Sequence, residues 1–280
     1  MKKEIRKIQY DDTLQVEACY FSGIAQPFPN HFHEYYVIGL MENGKRQLSC
    51  KNKTYTIEDG VILLFNPKDN HACVQSDGDT MTYYGLHIPK ESMLALTEKI
   101  TGRRELPYFS EPVIKDMEIQ SLLRTLHEML QNDTSALGRE EQLLFLLSAL
   151  IRKYGQPFAD NTEECRQEIK QACAFMEQHF KERLSLEEIC RCAALSKSTL
   201  LRSFTREKGI TPYRYLENIR INQAKALLQK GVSPLDAAMQ TGFSDQSHFT
   251  NYFNCFIGLT PAVYREIFSE KNKRGEKHEK

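Results

Sequence analysis

The sequence predicts an α+β protein: a small β-barrel with two helices behind it, then an all-α half built from two helix-turn-helix units. Three observations carry this reading. The chain has 280 residues, enough for two domains that each bury a core. Its texture changes near Pro89, from short β-rich runs to leucines at three- and four-residue intervals. Its last third repeats itself at a spacing of 49 residues.

From about residue 8 to 89, the runs YYVIGLM, RQLSC, KTYTI, VILLF and TMTYYGLHI are separated by the turn signals ENGK, KNK, EDG, PKDN and SDGD. Short strands at that spacing fit a small barrel or sandwich. DMEIQSLLRTLHEMLQN (116–132) and GREEQLLFLLSALIRKYG (138–155) then read as two amphipathic helices. Their leucine faces are suited either to closing the barrel or to pairing two subunits, which makes a homodimer a candidate assembly. The polar GQPFADNTEE (155–164) reads as a linker. The expected organisation is therefore a first domain over 1–154, a linker over 155–165, a helical domain over 166–268 and a basic, disordered tail over 269–280.

Composition narrows the function classes. The opening MKKEIRKIQYDD is charged rather than a secretory signal, and LLFLLSALI (143–151) is less than half of a membrane span. A soluble, cytoplasmic protein with no membrane partner is expected. The eight cysteines are scattered, so they read as buried apolar residues rather than disulfides. Cys190 and Cys192 form a C-x-C, but on a helix they point to different faces. The net charge of zero hides an asymmetry: residues 1–164 carry 18 Lys+Arg against 24 Asp+Glu, and residues 165–280 carry 19 against 13. The second half thus suits a polyanion, although the tail supplies five of its positive charges.

The repeat gives that half a form. SKSTLLRSFTREKGITPYRY (196–215) aligns with DQSHFTNYFNCFIGLTPAVY (245–264), so Phe204 meets Phe253, Gly209 meets Gly258, Thr211-Pro212 meets Thr260-Pro261 and Tyr215 meets Tyr264. Each copy reads as short helix, turn, second helix, glycine stop, and a Thr-Pro start to another helix. With Ser244 as its cap, the helix in the second copy places Phe249, Tyr252, Phe253, Phe256 and Ile257 on one face. Gln246, Ser247, Thr250 and Asn251 fall on the other. Short uncharged groups of this kind can read base edges in a major groove. Between the copies, PYRYLENIRINQAKALLQ (212–229) is a continuous helical pattern of 18 residues, about 27 Å long. Such a rod can hold two groove-reading helices about one DNA turn apart, roughly 34 Å.

These motifs carry a resemblance. GFSDQSHFTNYFNCFIGLTPAVYR (242–265), and with it LSLEEICRCAALSKSTLLRSFTREKGITPYRYL (184–216), resembles the DNA-binding domain of the AraC/XylS family of bacterial transcription regulators. More loosely, residues 31–90, which open with HFHEYYVIGLMENGKRQLSCKNKTYTIEDGVILLFNPKDNHAC, resemble that family's cupin-like sensor domain. The resemblance implies seven C-terminal helices, with recognition helices at about 197–207 and 246–257. It also implies a one-component regulator whose partners are double-stranded DNA, a small-molecule effector and RNA polymerase, the last favouring activation. In the first recognition helix, the positions equivalent to the polar row are Lys197, Ser198, Leu201 and Arg202. Arg202 is the best single candidate for a base contact, since guanidinium pairs with guanine O6 and N7. Leu201 is expected either at a thymine methyl or in the core beside Leu200. Ser196, Arg206 and Arg265 are the phosphate candidates, with an intradomain ion pair as the other role for Arg265. Where family members commonly carry a basic residue, this chain has Asn251 and Asn254. The first unit is therefore expected to supply most of the salt-dependent affinity and the second mainly discrimination.

For the barrel, His31 and His33 alternate on a strand and His71 follows NPKDN at a strand edge, resembling the histidine positions of metal cupins. No acid stands four or five residues after His33, and Glu34 points to the opposite face. The expectation is ligand binding through His31, His33, His71 and Tyr36, with no metal, no cofactor and no enzymatic activity. The alternative weighed is a metal-dependent cupin enzyme fused to a DNA-binding domain. Tyr35, Tyr83, Tyr84 and His87 are left open as lining or plugging the barrel.

Overall fold

A computed structural model describes residues 4–76, 80–132, 136–157 and 167–275, apart from the side chains of 157, 197, 198, 202 and 269–275. The chain divides into two compact units, residues 1–27 with 32–161, and residues 28–31 with 162–280.

The strands come first: β1 (Ile5–Asp11), β2 (Val16–Ile24), β3 (Phe28–His31), β4 (Tyr36–Asn43), β5 (Arg46–Cys50), β6 (Lys53–Ile57), β7 (Ile62–Phe65), β8 (His71–Gln75) and β9 (Met81–Ile88). Helix α1 (Lys90–Thr101), β10 (Pro107–Phe109), β11 (Val113–Ile114), α2 (Met117–Gln131), α3 (Ala136–Tyr154) and β12 (Gly155–Pro157) follow. Six strands form a sheet in the order β1-β2-β9-β4-β7-β11, and a second sheet is centred on β5, which pairs antiparallel with β6 and β8.

Side chains alternate across a strand, so each face of the large sheet has its own composition. Val16 and Ala18 of β2, Tyr36, Ile38 and Leu40 of β4, and Leu86 and Ile88 of β9 share one face. They join Met93 of α1, Leu123 and Leu126 of α2, and Leu143, Leu146 and Leu150 of α3 in a single buried core. The leucine faces of the two long helices are thus spent inside the unit, which is the default for an amphipathic helix. Helix α1 is an addition to the two helices expected. It starts after Pro89 and stops at Gly102, whose φ of 72° closes the last turn. The segment expected to begin a linker also differs: Gly155, Gln156 and Pro157 pair with Phe109, Tyr108 and Pro107. The rest of the expected linker, 158–165, lies outside the described residues.

The second unit holds seven helices among its described residues: α4 (Gln167–His179), α5 (Leu186–Cys192), α6 (Lys197–Lys208), α7 (Pro212–Gln229), α8 (Pro234–Gln240), α9 (Gln246–Ile257) and α10 (Pro261–Gly275). The last helix runs through 269–275, part of the expected tail, and 276–280 lie outside the described residues. Helix α7 is the hub, touching α4 and α6 as well as α8, α9 and α10. The sequence repeat has a packing counterpart. Phe204 meets Tyr215 edge-on at 5.4 Å, and their equivalents Phe253 and Tyr264 meet at 5.5 Å. Each recognition helix ends at a left-handed glycine, Gly209 or Gly258, and each following helix opens with proline. The two turns differ. The first places Ala194 at φ 52°, whereas the second uses Gly242 at φ 82°. A side chain at Gly242 would meet the carbonyls of Phe180 and Lys181 at 2.8 Å, so only glycine fits there.

Candidate nucleic-acid interface and barrel site

Helix α9 starts one residue later than the cap expected at Ser244. Asp245, in extended conformation, accepts the His248 backbone N–H at 2.6 Å. From there Phe249, Phe253 and Phe256 go into the core, in a ring chain that runs from Phe243 through Phe249 and Phe253 to Tyr264 at centroid spacings of 5.1, 5.6 and 5.5 Å. Burying those rings orients the helix about its axis and turns the opposite face outward. Gln246, Ser247, Thr250 and Asn251 together line one open, concave surface there. Four neutral donor–acceptor groups on one exposed row suit hydrogen bonding to base edges more than attraction to phosphate.

On α6, Leu200, Ser203 and Phe204 are buried and Leu201 is 39% exposed, so of its two expected roles the outward one agrees with its position. The side chains of Lys197, Ser198 and Arg202 lie outside the described ones. Ser196 caps α6 through its hydroxyl, which accepts the Thr199 N–H. Arg206 is exposed, 3.6 Å from the Glu207 carboxylate, and Arg265 is half-buried on α10. The two helix starts differ in charge. Asp245 places a carboxylate at the cap of α9, where it repels a phosphate, whereas the cap of α6, Ser196, is neutral.

In the first unit, the face of the large sheet turned away from the helices carries Glu17 and Cys19 on β2, and Tyr83, Gly85 and His87 on β9. His87 Nδ1 lies 3.3 Å from Glu17 Oε2, and His87 Nε2 lies 3.7 Å from Cys19 Sγ. Tyr35 and His33 extend the cluster: Tyr35 lies 4.8 Å from His87 and 4.7 Å from His33 by ring centroids, and His33 lies 5.1 Å from His71. His71 stacks on Phe65 at 4.0 Å and so bridges the two sheets. Burial pushes the Tyr35 and Tyr83 phenols well above their ordinary pKa, with Cys19 adding to both shifts and Glu17 to that of Tyr35. The Tyr83 ring lies over Gly39 and Gly85, which pair across β4 and β9, and a side chain at either would collide with it. Tyr83 is therefore a plug that two glycines make room for.

Two of the expected ligand residues are placed differently. Tyr36 points to the helix side, fully buried, and its hydroxyl donates to the Pro107 carbonyl at 2.8 Å. This corrects its assignment to the ligand face, because Tyr36 alternates with Ile38 and Leu40 of β4 onto the helix side. His33 lies beyond the end of β3 rather than on a strand with His31. His31 belongs to β3, which groups with the second unit. It is buried, with Nδ1 2.6 Å from the Pro29 carbonyl.

Two family models match separate segments of the chain. A model described as an AraC-like ligand binding domain matches residues 15–147, and one described as a helix-turn-helix domain matches residues 189–267. YbfI of Bacillus subtilis (strain 168), described as an uncharacterized HTH-type transcriptional regulator, is 46% identical over 275 residues, 98% of this chain and 100% of YbfI. The chain belongs to the AraC family of transcriptional regulators. Another relative, the HTH-type transcriptional activator RhaS of Escherichia coli O81, is 26% identical over 85% of this chain and 88% of its own. An apo ToxT variant from Vibrio cholerae strain SCE256 shares the fold at a TM-score of 0.57 and 15% identity, over 93% of this chain and 99% of ToxT. Wild-type ToxT bound to an unsaturated fatty acid aligns at 0.51 and 17% identity, over 95% and 96%. No helix among the described residues is long and apolar enough to cross a membrane.

As an AraC-family chain, the protein carries a ligand-binding domain and a DNA-binding domain, and YbfI and RhaS are both described as transcriptional regulators. Sequence reasoning passed over Glu17 and Cys19. The signal was available: in VEACYF the residues Glu17, Cys19 and Phe21 alternate onto one face, and antiparallel pairing sets them opposite His87, Gly85 and Tyr83.

Proposed function

We propose that this AraC-family regulator reads a specific duplex sequence with α6 and the exposed row of α9, under the control of a small molecule held on the Glu17–His87 face of the barrel. One observation carries the first part. Helix α9 buries Phe249, Phe253 and Phe256 in the core and turns out four neutral hydrogen-bonding side chains on one surface. An exposed helix selected only for solubility carries charge; this row carries none. For the barrel, the buried carboxylate, imidazoles and phenols supply convergent polar groups in a largely apolar setting, the usual make-up of a ligand site. Activation of transcription through contact with RNA polymerase is the direction we favour, because RhaS is described as an activator.

The experiment is selection of bound duplexes from a random pool with the purified full chain, followed by footprinting. The expected result is one enriched sequence with two protected segments about one helical turn apart, roughly 34 Å. A pool that emerges unenriched would overturn the proposal. For the effector half, compounds that raise the melting temperature of the wild type and lose that effect in Glu17→Gln are expected. A stabilising compound indifferent to Glu17→Gln and His87→Gln would move the ligand elsewhere.

A further inference from the structure

Glu217, on the second turn of α7, is 1% exposed, an unusual place for a carboxylate. Its Oε2 accepts from Arg214 Nη1, one turn earlier on the same helix, at 3.2 Å. The Arg214 guanidinium in turn lies over two rings of α9, Tyr252 at 5.1 Å and Phe256 at 6.0 Å from the centroids. Tyr252 also meets His248 edge-on at 4.6 Å. Burial raises the Glu217 pKa, opposed first by Tyr252, then by Tyr213, Arg214 and His248. Both phenols are close enough to favour the ionised carboxylate, although no hydrogen bond closes on Oε1. One acid and one base on α7 therefore hold Tyr252 and Phe256 of α9, and Tyr252 adjoins Asn251 of the outward row.

We propose that Glu217 is a positioning residue for DNA reading: with Arg214 it sets the rotation of α9, and hence where Gln246, Ser247, Thr250 and Asn251 meet the bases. A buried ion pair is a poor way to add stability, because well-packed apolar residues do as well or better. Its best-attested use is to select one register among several that apolar packing tolerates. Aromatic rings on a helix face allow several such rotations; an arginine held between a carboxylate and two ring faces allows fewer. The arrangement is specific to the second unit. At the position equivalent to Tyr252, α6 carries the small, buried Ser203.

This inference rests on the proposed DNA reading, and its test separates the two. With the duplex selected by the wild type, Asn251→Ala identifies the base pairs read by α9. Binding of Glu217→Gln and of Tyr252→Phe is then measured against single-base-pair variants across both halves of the site, at several salt concentrations. The expected result is a loss of discrimination of about tenfold at the α9 base pairs, within the range of one displaced bidentate contact. Discrimination at the α6 base pairs and the salt slope should be unchanged. Tyr252→Phe keeps the ring and removes only the hydroxyl beside the carboxylate, so it carries the test should Glu217→Gln not fold. Equal losses in both halves, or full discrimination in both variants, would overturn the positioning role while leaving the DNA reading intact. A wild type that selects no sequence would overturn the DNA reading itself.

Discussion

The imidazole of His127 on α2 makes acid the weak direction for the first unit. It is 8% exposed, lies 4.0 Å from the Tyr84 ring and 5.8 Å from Tyr20, and accepts from Gln131 Nε2 at 2.6 Å. Burial, with Lys7 adding to it, lowers its pKa from 6.5 to about 4. A depressed folded pKa means that the unfolded chain takes up the proton first as the pH falls. The stabilisation tied to the neutral ring is therefore complete above pH 6.5 and is lost as the pH falls toward 4. Between pH 7 and 5 the loss is about 2 kcal/mol, from 1.36 kcal/mol per pKa unit. The chain has no tryptophan, so urea unfolding is best followed by circular dichroism. The wild type should lose about 2 kcal/mol more over that interval than His127→Leu, which has nothing to titrate there. Equal pH dependence in the two proteins, to within about 0.5 kcal/mol, would refute the argument.

Further outcomes follow from the same structure. Tyr36→Phe strands the buried Pro107 carbonyl and should cost about 1–2 kcal/mol of stability, while DNA binding still responds to any effector; an abolished response would return Tyr36 to the ligand face. Ala194→Gly relieves a left-handed alanine in the first turn, and a melting temperature that rises by a few degrees, for about 1 kcal/mol, is expected; a fall would mean that the alanine methyl packs against something. Asn251→Ala should weaken specific binding about tenfold without changing its dependence on salt, whereas Arg206→Ala should lower the salt slope by about one. The opposite ordering of slopes would refute the division of labour between α9 and α6.

Much of this was legible in the chain because it depends on local periodicity. Strands β5 and β6 begin and end where the turn signals place them, and α7 occupies 212–229 because Thr211 and Pro212 define its start. The repeat at 49 residues specified two like units, since equal patterns bury equal faces. The polar row of α9 could be read for the same reason. Its cap could not: Ser244 and Asp245 are both good caps, and only the extended backbone at 245 brings a carboxylate to the His248 N–H.

What tertiary structure alone decided depends on which residues distant in sequence meet. Tyr35 and Tyr36 are neighbours of the same type, and only the sheet's placement against α1–α3 sends one toward His87 and the other to the core. Glu17, Cys19 and His87 become a cluster only through the register of β2 on β9, some 70 residues apart. Glu217 reads as one more exposed helical acid until α9 packs across it. Sequence by itself determined the five quoted strands, the long helices, the two repeated units and the family resemblance, because hydrophobic periodicity, capping and the repeat are written in neighbouring residues. Which polar groups are driven out of water, and against what partner, is settled only when separate elements close on one another, since burial is a property of the packed chain and not of any stretch of it.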